Sequence, residues 1–173
     1  MTGLLRVAAI ACLALAGCTG GNEGGGSSGN AKPVAPADNP RFAGEKDAEM
    51  KIAAHKAQVS LDEFDERLTH PPAGQTRIGL RGIFESQGET EYLWLRNVTL
   101  VPEGYRGLIT TPPTLPGFAL DQEVVLPRDA VADWYAVEGG YLVAGYSLRL
   151  MRSRLSPEAR ARADAQSGYT IEE

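Results

Sequence analysis

The sequence predicts an α+β domain, with two N-terminal helices, a bent antiparallel sheet of about five strands, and C-terminal helices. Helical periods occupy both ends of the folded part and alternating periods fill its middle. The strand-like segments follow one another without helix-length stretches between them, which disfavours a parallel α/β fold, where each crossover needs its own helix. At 173 residues, 43% apolar and 23% charged, the chain has the composition of one compact core.

The folded part begins near Arg41. EKDAEMKIAAHKAQVS places Met50, Ala53, Ala54 and Ala57 at helical spacing, with Lys and Glu opposite. In SLDEFDERLTHPP, Ser60 followed three residues later by Glu63 predicts a capping box; Leu61, Phe64 and Leu68 form a stripe, and Pro71 and Pro72 stop the helix. His55 and His70 fall on these helices without a second histidine, cysteine or acidic cluster at ligand spacing. Both read as solvated surface histidines, and no metal site is expected.

The middle alternates. TRIGLRGIFES puts Ile78, Leu80 and Phe84 on one side and Arg77 and Arg81 with glycine on the other, as in a half-buried strand. EYLWLRNVTLV follows after a turn at Gly88. YRGLITTPP is shorter and ends at paired prolines, which places it near an edge or a loop mouth. EVVLP supplies another strand, and DWYAVEGGYLVAGY reads as a hairpin turning at Glu138-Gly139-Gly140, where tight turns need positive φ. At most one of Trp134 and Tyr135 faces inward in a regular strand. In SLRLMRSRL, Ser147 is the expected cap and Leu148, Met151 and Leu155 share a face; SPEARARADA repeats the start signals, with Ser156 as cap and Pro157 in the first turn.

Residues 1–17 read as an export signal: Arg6 precedes an apolar run from Val7 to Leu15, far short of the roughly 20 residues of a membrane span. Leu15-Ala16-Gly17-Cys18 resembles the bacterial lipoprotein box, which implies a palmitate-type diacylglyceryl group on Cys18 and cleavage just before it. Cys12 lies in the discarded segment, so the mature chain forms no internal disulfide. Each buried acyl methylene contributes roughly 0.8 kcal/mol, and more than one chain makes anchoring stable. Residues 18–40, rich in Gly, Ser and Pro, have the composition of a tether with a typical span of about 25 Å and a taut reach of about 70 Å. The domain at 41–173 then faces the periplasm. Thr19 after the cysteine is similar to lipoproteins sorted to the outer membrane of a Gram-negative host.

The formal charge is −5, and removing residues 1–17 takes Arg6, leaving 16 basic against 22 acidic residues and a net of −6. That balance argues against nucleic acid as a partner, since phosphate binding needs a clustered basic face.

Read together, AAHKAQVSLDEFDERL, EYLWL, GYRGLITTPP and VADWYAVEGGYLVAGYSLR resemble the bacterial domain of unknown function family 2314 over about residues 46–160. The matching positions are Glu91, Trp94, Gly107, Pro112, Asp133, Trp134, Gly140, Gly145, Tyr146, Ser147 and Arg149, with the Asp-Trp hairpin the most specific part. Tyr92-Leu93 stands where the family usually has His-Met, so no role of that histidine applies to this chain. The resemblance implies no activity.

Glu91, Asp133 and Arg149 are the charged residues best placed by the motif for acid-base work, although such residues more often cap turns and pair within a fold. Trp94, Trp134, Tyr135 and Tyr146, with Arg149, are the candidates for lining a cleft, and large aromatics in strands more often fill the core. No signature of a cofactor, a phosphate loop or a nucleophile elbow is present. The expected function is therefore a lipid-anchored envelope protein that binds an envelope protein or cell-wall component. The alternative is an envelope hydrolase using Glu91 or Asp133 with Arg149.

Overall fold

A computed structural model describes residues 47–172. The stretches read as an export signal (1–17), a lipidated Cys18 and a tether (18–40), with the first residues of the expected domain, lie outside the described residues.

Helix α1 (Ala48–Val59) is capped by Asp47, whose Oδ1 accepts the backbone N–H of Glu49 at 3.0 Å and of Met50 at 3.4 Å. Met50, Ala53 and Ala57 are buried, as the small-residue face predicts. Helix α2 (Leu61–Thr69) follows through Ser60, and here the expected capping box does not form. Ser60 also ends α1, so its hydroxyl donates back to the Lys56 carbonyl at 2.9 Å and accepts the indole N–H of Trp134 at 2.9 Å. Glu63 pairs instead with Arg67 one turn on. The apolar stripe does form: Leu61 and Phe64 are buried and Leu68 packs against the core.

Six strands, β1 (Gln75–Ser86), β2 (Glu89–Val101), β3 (Gly104–Ile109), β4 (Glu123–Leu126), β5 (Val131–Glu138) and β6 (Tyr141–Ala144), form one antiparallel sheet in the order β4-β3-β2-β1-β5-β6. β3 lies one place inside the edge. It opens into the Thr110–Gln122 loop, which folds back so that β4 pairs with its outer side. β1 is covered on both faces, with Gly79, Leu80, Arg81 and Gly82 all buried, so the half-solvated strand read from its alternation is corrected. The β5–β6 turn has Gly139 at φ 57° and Gly140 at φ 87°, the left-handed pair that a two-residue hairpin needs.

Register assigns the two faces. Leu80 stands opposite Leu95 on one side and Trp134 on the other, and this face carries the core. The Phe64 ring of α2 sits 5.4 Å from both the Tyr105 and Trp134 rings. Arg81 stands opposite Trp94 and Asp133 on the second face.

Helix α3 (Tyr146–Ser153) starts earlier than expected. Its cap position is Gly145 at φ 65°, and Ser147 lies inside the first turn, buried, rather than capping. Leu155 falls beyond the helix and is exposed. Helix α4 (Pro157–Ser167) begins as read, with Ser156 Oγ accepting the Ala159 N–H. The chain then returns to the sheet: Thr170 donates to the Gly140 carbonyl and accepts from the Leu142 N–H, both at 2.8 Å. No described helix is long and apolar enough to cross a membrane.

Candidate functional site

Asp133 sits on β5 where β6 gives way to α3. Its Oδ1 accepts the N–H of Trp134 at 2.8 Å and of Tyr146 at 3.1 Å; its Oδ2 accepts the N–H and O–H of Ser147 at 2.8 and 2.5 Å. A strand carboxylate thus caps a helix distant from it in sequence, where the helix dipole favours negative charge. Burial pushes the Asp133 carboxyl above its ordinary range, opposed by the Ser147 and Trp134 hydrogen bonds and by the charge of Arg81. The same desolvation pulls Arg81 down, and Asp133 opposes that shift.

Glu91 is 1% exposed and works elsewhere. Its Oε2 accepts the N–H groups of Thr114 and Leu115 at 2.8 and 2.9 Å, pinning the β3–β4 loop to β2, and its Oε1 is buried without a hydrogen-bond partner among the described residues. Arg149 donates to three backbone carbonyls: Ala144 from Nε, Glu172 from Nη1 and Leu142 from Nη2, at 2.7 to 2.8 Å. The three candidates for acid-base chemistry therefore do not converge on one concavity. Each holds a different piece of backbone.

The aromatic candidates also separate. Trp134 is fully buried in the core and Tyr146 turns toward α1, its hydroxyl 3.2 Å from Ser60 Oγ. Trp94 and Tyr135 lie on the second face, with ring centroids 5.2 Å apart in an edge contact. Tyr169, from the C-terminal tail, packs on Tyr135 at 6.4 Å, and the Arg77 guanidinium lies 5.2 Å from the Tyr169 ring centre.

Beside this belt opens a groove of about 230 Å³ walled by Arg81, Glu91, Tyr92, Trp94, Thr111 and Met151, so that of the three acid-base candidates Glu91 alone lines it. Arg81 forms part of its wall, 3% exposed, with its guanidinium 5.0 Å from the centre of the Tyr92 ring. The groove is smaller than the roughly 300–1,000 Å³ of a site that swallows a drug-sized ligand. Its volume is that of a single side chain or ring.

Sequence reasoning missed Arg81, Thr111, Met151 and Tyr169. Arg81 looked like a solvent-facing residue because its partner in the sheet, Asp133, is 52 positions away and only the β1–β5 register brings them together. A charged residue flanked by Leu80 and Gly82 in a strand, with an aspartate at the head of another, was the signal available.

The fold and groove define an α+β domain in which an open antiparallel sheet carries its core on one face and an aromatic and arginine-lined cleft on the other. The chain belongs to the bacterial family described as "Uncharacterized protein conserved in bacteria (DUF2314)", which it matches over residues 47–171. That span includes α4 and Tyr169, beyond the end expected from the motifs. Neither the curated proteins nor the solved structures give a match.

Proposed function

We propose that this chain is a lipid-anchored protein of the cell envelope that works by binding, its domain standing off the membrane on the tether after Cys18. The groove beside Trp94 carries this reading. An aromatic wall with a neighbouring guanidinium, at the volume of a single inserted side chain or sugar ring, suits contact with an envelope protein or cell-wall component. Glu91, Asp133 and Arg149, each engaged with separate backbone groups, support binding over hydrolysis. The anchor rests on the Leu-Ala-Gly-Cys box and on the composition of residues 18–40.

The test is in vivo photocrosslinking from position 92 of the full chain. A discrete envelope partner is expected, and Trp94→Ala should abolish its capture without altering the amount of protein. A hydrolytic activity lost in Asp133→Asn or Glu91→Gln, in a variant that melts like wild type, would overturn the binding role. For the address, Cys18→Ala should leave an uncleaved or mislocalised precursor. Unchanged fractionation of that variant counts against the anchor.

A further inference from the structure

β6 ends the sheet, yet its outer edge is covered. The tail at 168–172 runs parallel to it, with the Thr170 N–H on the Gly140 carbonyl and the Leu142 N–H on the Thr170 carbonyl, both at 2.8 Å. Arg149 occupies the rest of the edge. It donates to the carbonyls of Leu142 at 2.7 Å and Ala144 at 2.8 Å, and at 2.7 Å to the carbonyl of Glu172, which ties the tail to the same strand.

The tail's side chains alternate as those of a strand do. Tyr169 lies on the Tyr135 ring with the Arg77 guanidinium over it, and Ile171, two positions on, lines a cavity against Leu148 and Met151 of α3. Thr170 between them is exposed. The edge thus accepts an extended chain whose backbone pairs with β6 and whose alternate side chains, one aromatic and one aliphatic, turn inward.

The present occupant is loosely held. No residue of α4 or of the tail is buried, and α4 is attached by polar contacts: Asp164 with Arg152 at 2.8 and 2.9 Å, and the carbonyls of Ser167 and Gly168 with Arg77 at 3.1 Å. A segment with no buried residue opens locally at low cost, and partner-binding segments are drawn from that end of the stability scale. Opening deprives the Leu142 N–H and the Gly140 carbonyl of their partners, and an unpaired strand edge is a template for another strand.

We propose that the outer edge of β6 docks an extended segment of a partner polypeptide, which displaces the tail, pairs in parallel with Gly140 and Leu142, and sets an aromatic residue on Tyr135 and an aliphatic one against α3. The tail is both the template for this partner and its competitor, since a tethered segment acts at an effective concentration on the order of millimolar. The edge adjoins the Trp94 groove through the Tyr135–Trp94 contact, but the inference does not rest on what that groove holds. Its test uses a defined peptide, so its failure leaves the crosslinking result at position 92 untouched.

The experiment uses the full chain carrying Cys18→Ala, with methyl-labelled methionine. Only Met1, Met50 and Met151 report, and Met151 lines the cavity beside Tyr169 and Ile171. Thr170→Pro removes the N–H that Gly140 accepts and should release the tail, moving the Met151 signal and leaving Met50 in place. The synthetic peptide SGYTIE, residues 167–172, should then bind and return the Met151 signal toward its original position. Met151 also walls the Trp94 groove, so that return, and not a shift alone, is diagnostic. The peptide carrying Tyr169→Ala should bind at least about tenfold more weakly, and the one carrying Thr170→Pro should not bind; the chain with its own tail intact should bind SGYTIE at least about tenfold more weakly than the Thr170→Pro chain. In the intact chain the Leu142 amide should exchange with solvent about a hundredfold faster than amides at the centre of β1. A Met151 signal that SGYTIE does not restore, equal binding by the Thr170→Pro peptide, or a Leu142 amide as slow as those of β1 overturns the proposal. The exchange measurement needs no change in the tail, so it decides even where Thr170→Pro fails to fold. Dimers of the intact chain that SGYTIE dissolves would make the occupant the tail of a second copy and overturn a foreign partner.

Discussion

Ser147 gives both its N–H and its O–H to one oxygen of Asp133, at 2.8 and 2.5 Å, and this pair joins the first turn of α3 to the head of β5. Removing the carboxylate strips the N–H groups of Trp134, Tyr146 and Ser147 of their acceptor and takes away a negative charge that opposes the desolvation of Arg81. Asp133→Ala should therefore destabilise the domain by about 3–5 kcal/mol. Ser147→Ala loses one hydroxyl bond and should cost about 1–2 kcal/mol. Urea denaturation of both variants measures the difference; equal losses would show that the carboxylate is not the centre of the joint.

Ser60 makes a second joint. Its hydroxyl takes the indole N–H of Trp134 at 2.9 Å and stands 3.2 Å from the Tyr146 hydroxyl, connecting the α1–α2 corner to the core and to α3. Ser60→Ala leaves a buried donor unsatisfied and should cost about 1–3 kcal/mol. In a double-mutant cycle with Tyr146→Phe the two losses should be less than additive, since both variants break the same cluster.

The pH dependence of the α1–α3 contact has a definite sign. Arg154 donates to Asp47 and holds its carboxyl down at about 2, against an ordinary 3.8, with the Met50 and Glu49 N–H groups assisting. The native state thus binds this proton less readily than the unfolded chain. The contribution is complete above about pH 4 and is lost as pH falls toward 2. Carboxyl carbon NMR should show Asp47 titrating near 2, and Arg154→Gln should return it toward 3.8. An Asp47 midpoint unmoved by that substitution would remove Arg154 as the cause.

The parts of this structure that were legible in the sequence are those fixed by local chemistry. Gly139 and Gly140 announce their turn because few other residues adopt positive φ, and Ser156 and Pro157 announce α4 because the cap and the first turn are neighbours. The illegible parts depend on register between distant segments. Ser147 reads as a cap until β5 delivers Asp133 to the same turn, and Ser60 reads as one until the Trp134 indole arrives. Glu91 resembles an acid-base group in isolation, and only the return of the Thr114–Leu115 loop shows what it holds. The groove was hidden for the same reason. Arg81, Thr111 and Met151 come from a strand, a loop and a helix.

The second face depends on a missing side chain. A Cβ built on Gly79 would lie 2.5 Å from Cε1 of Tyr135, so the Tyr135 ring occupies the space above β1 that any other residue would fill, and from there it meets Trp94. Gly79→Ala should displace the ring, cost about 1–3 kcal/mol through overpacking, and change the fluorescence of Trp94 while Trp134, in the opposite face, keeps its environment. Tyr135→Ala in the same chain clears the space, so the Gly79→Ala penalty should fall below about 1 kcal/mol in that background. A penalty that persists without the tyrosine ring would place the strain in the β1 backbone and separate Gly79 from the groove.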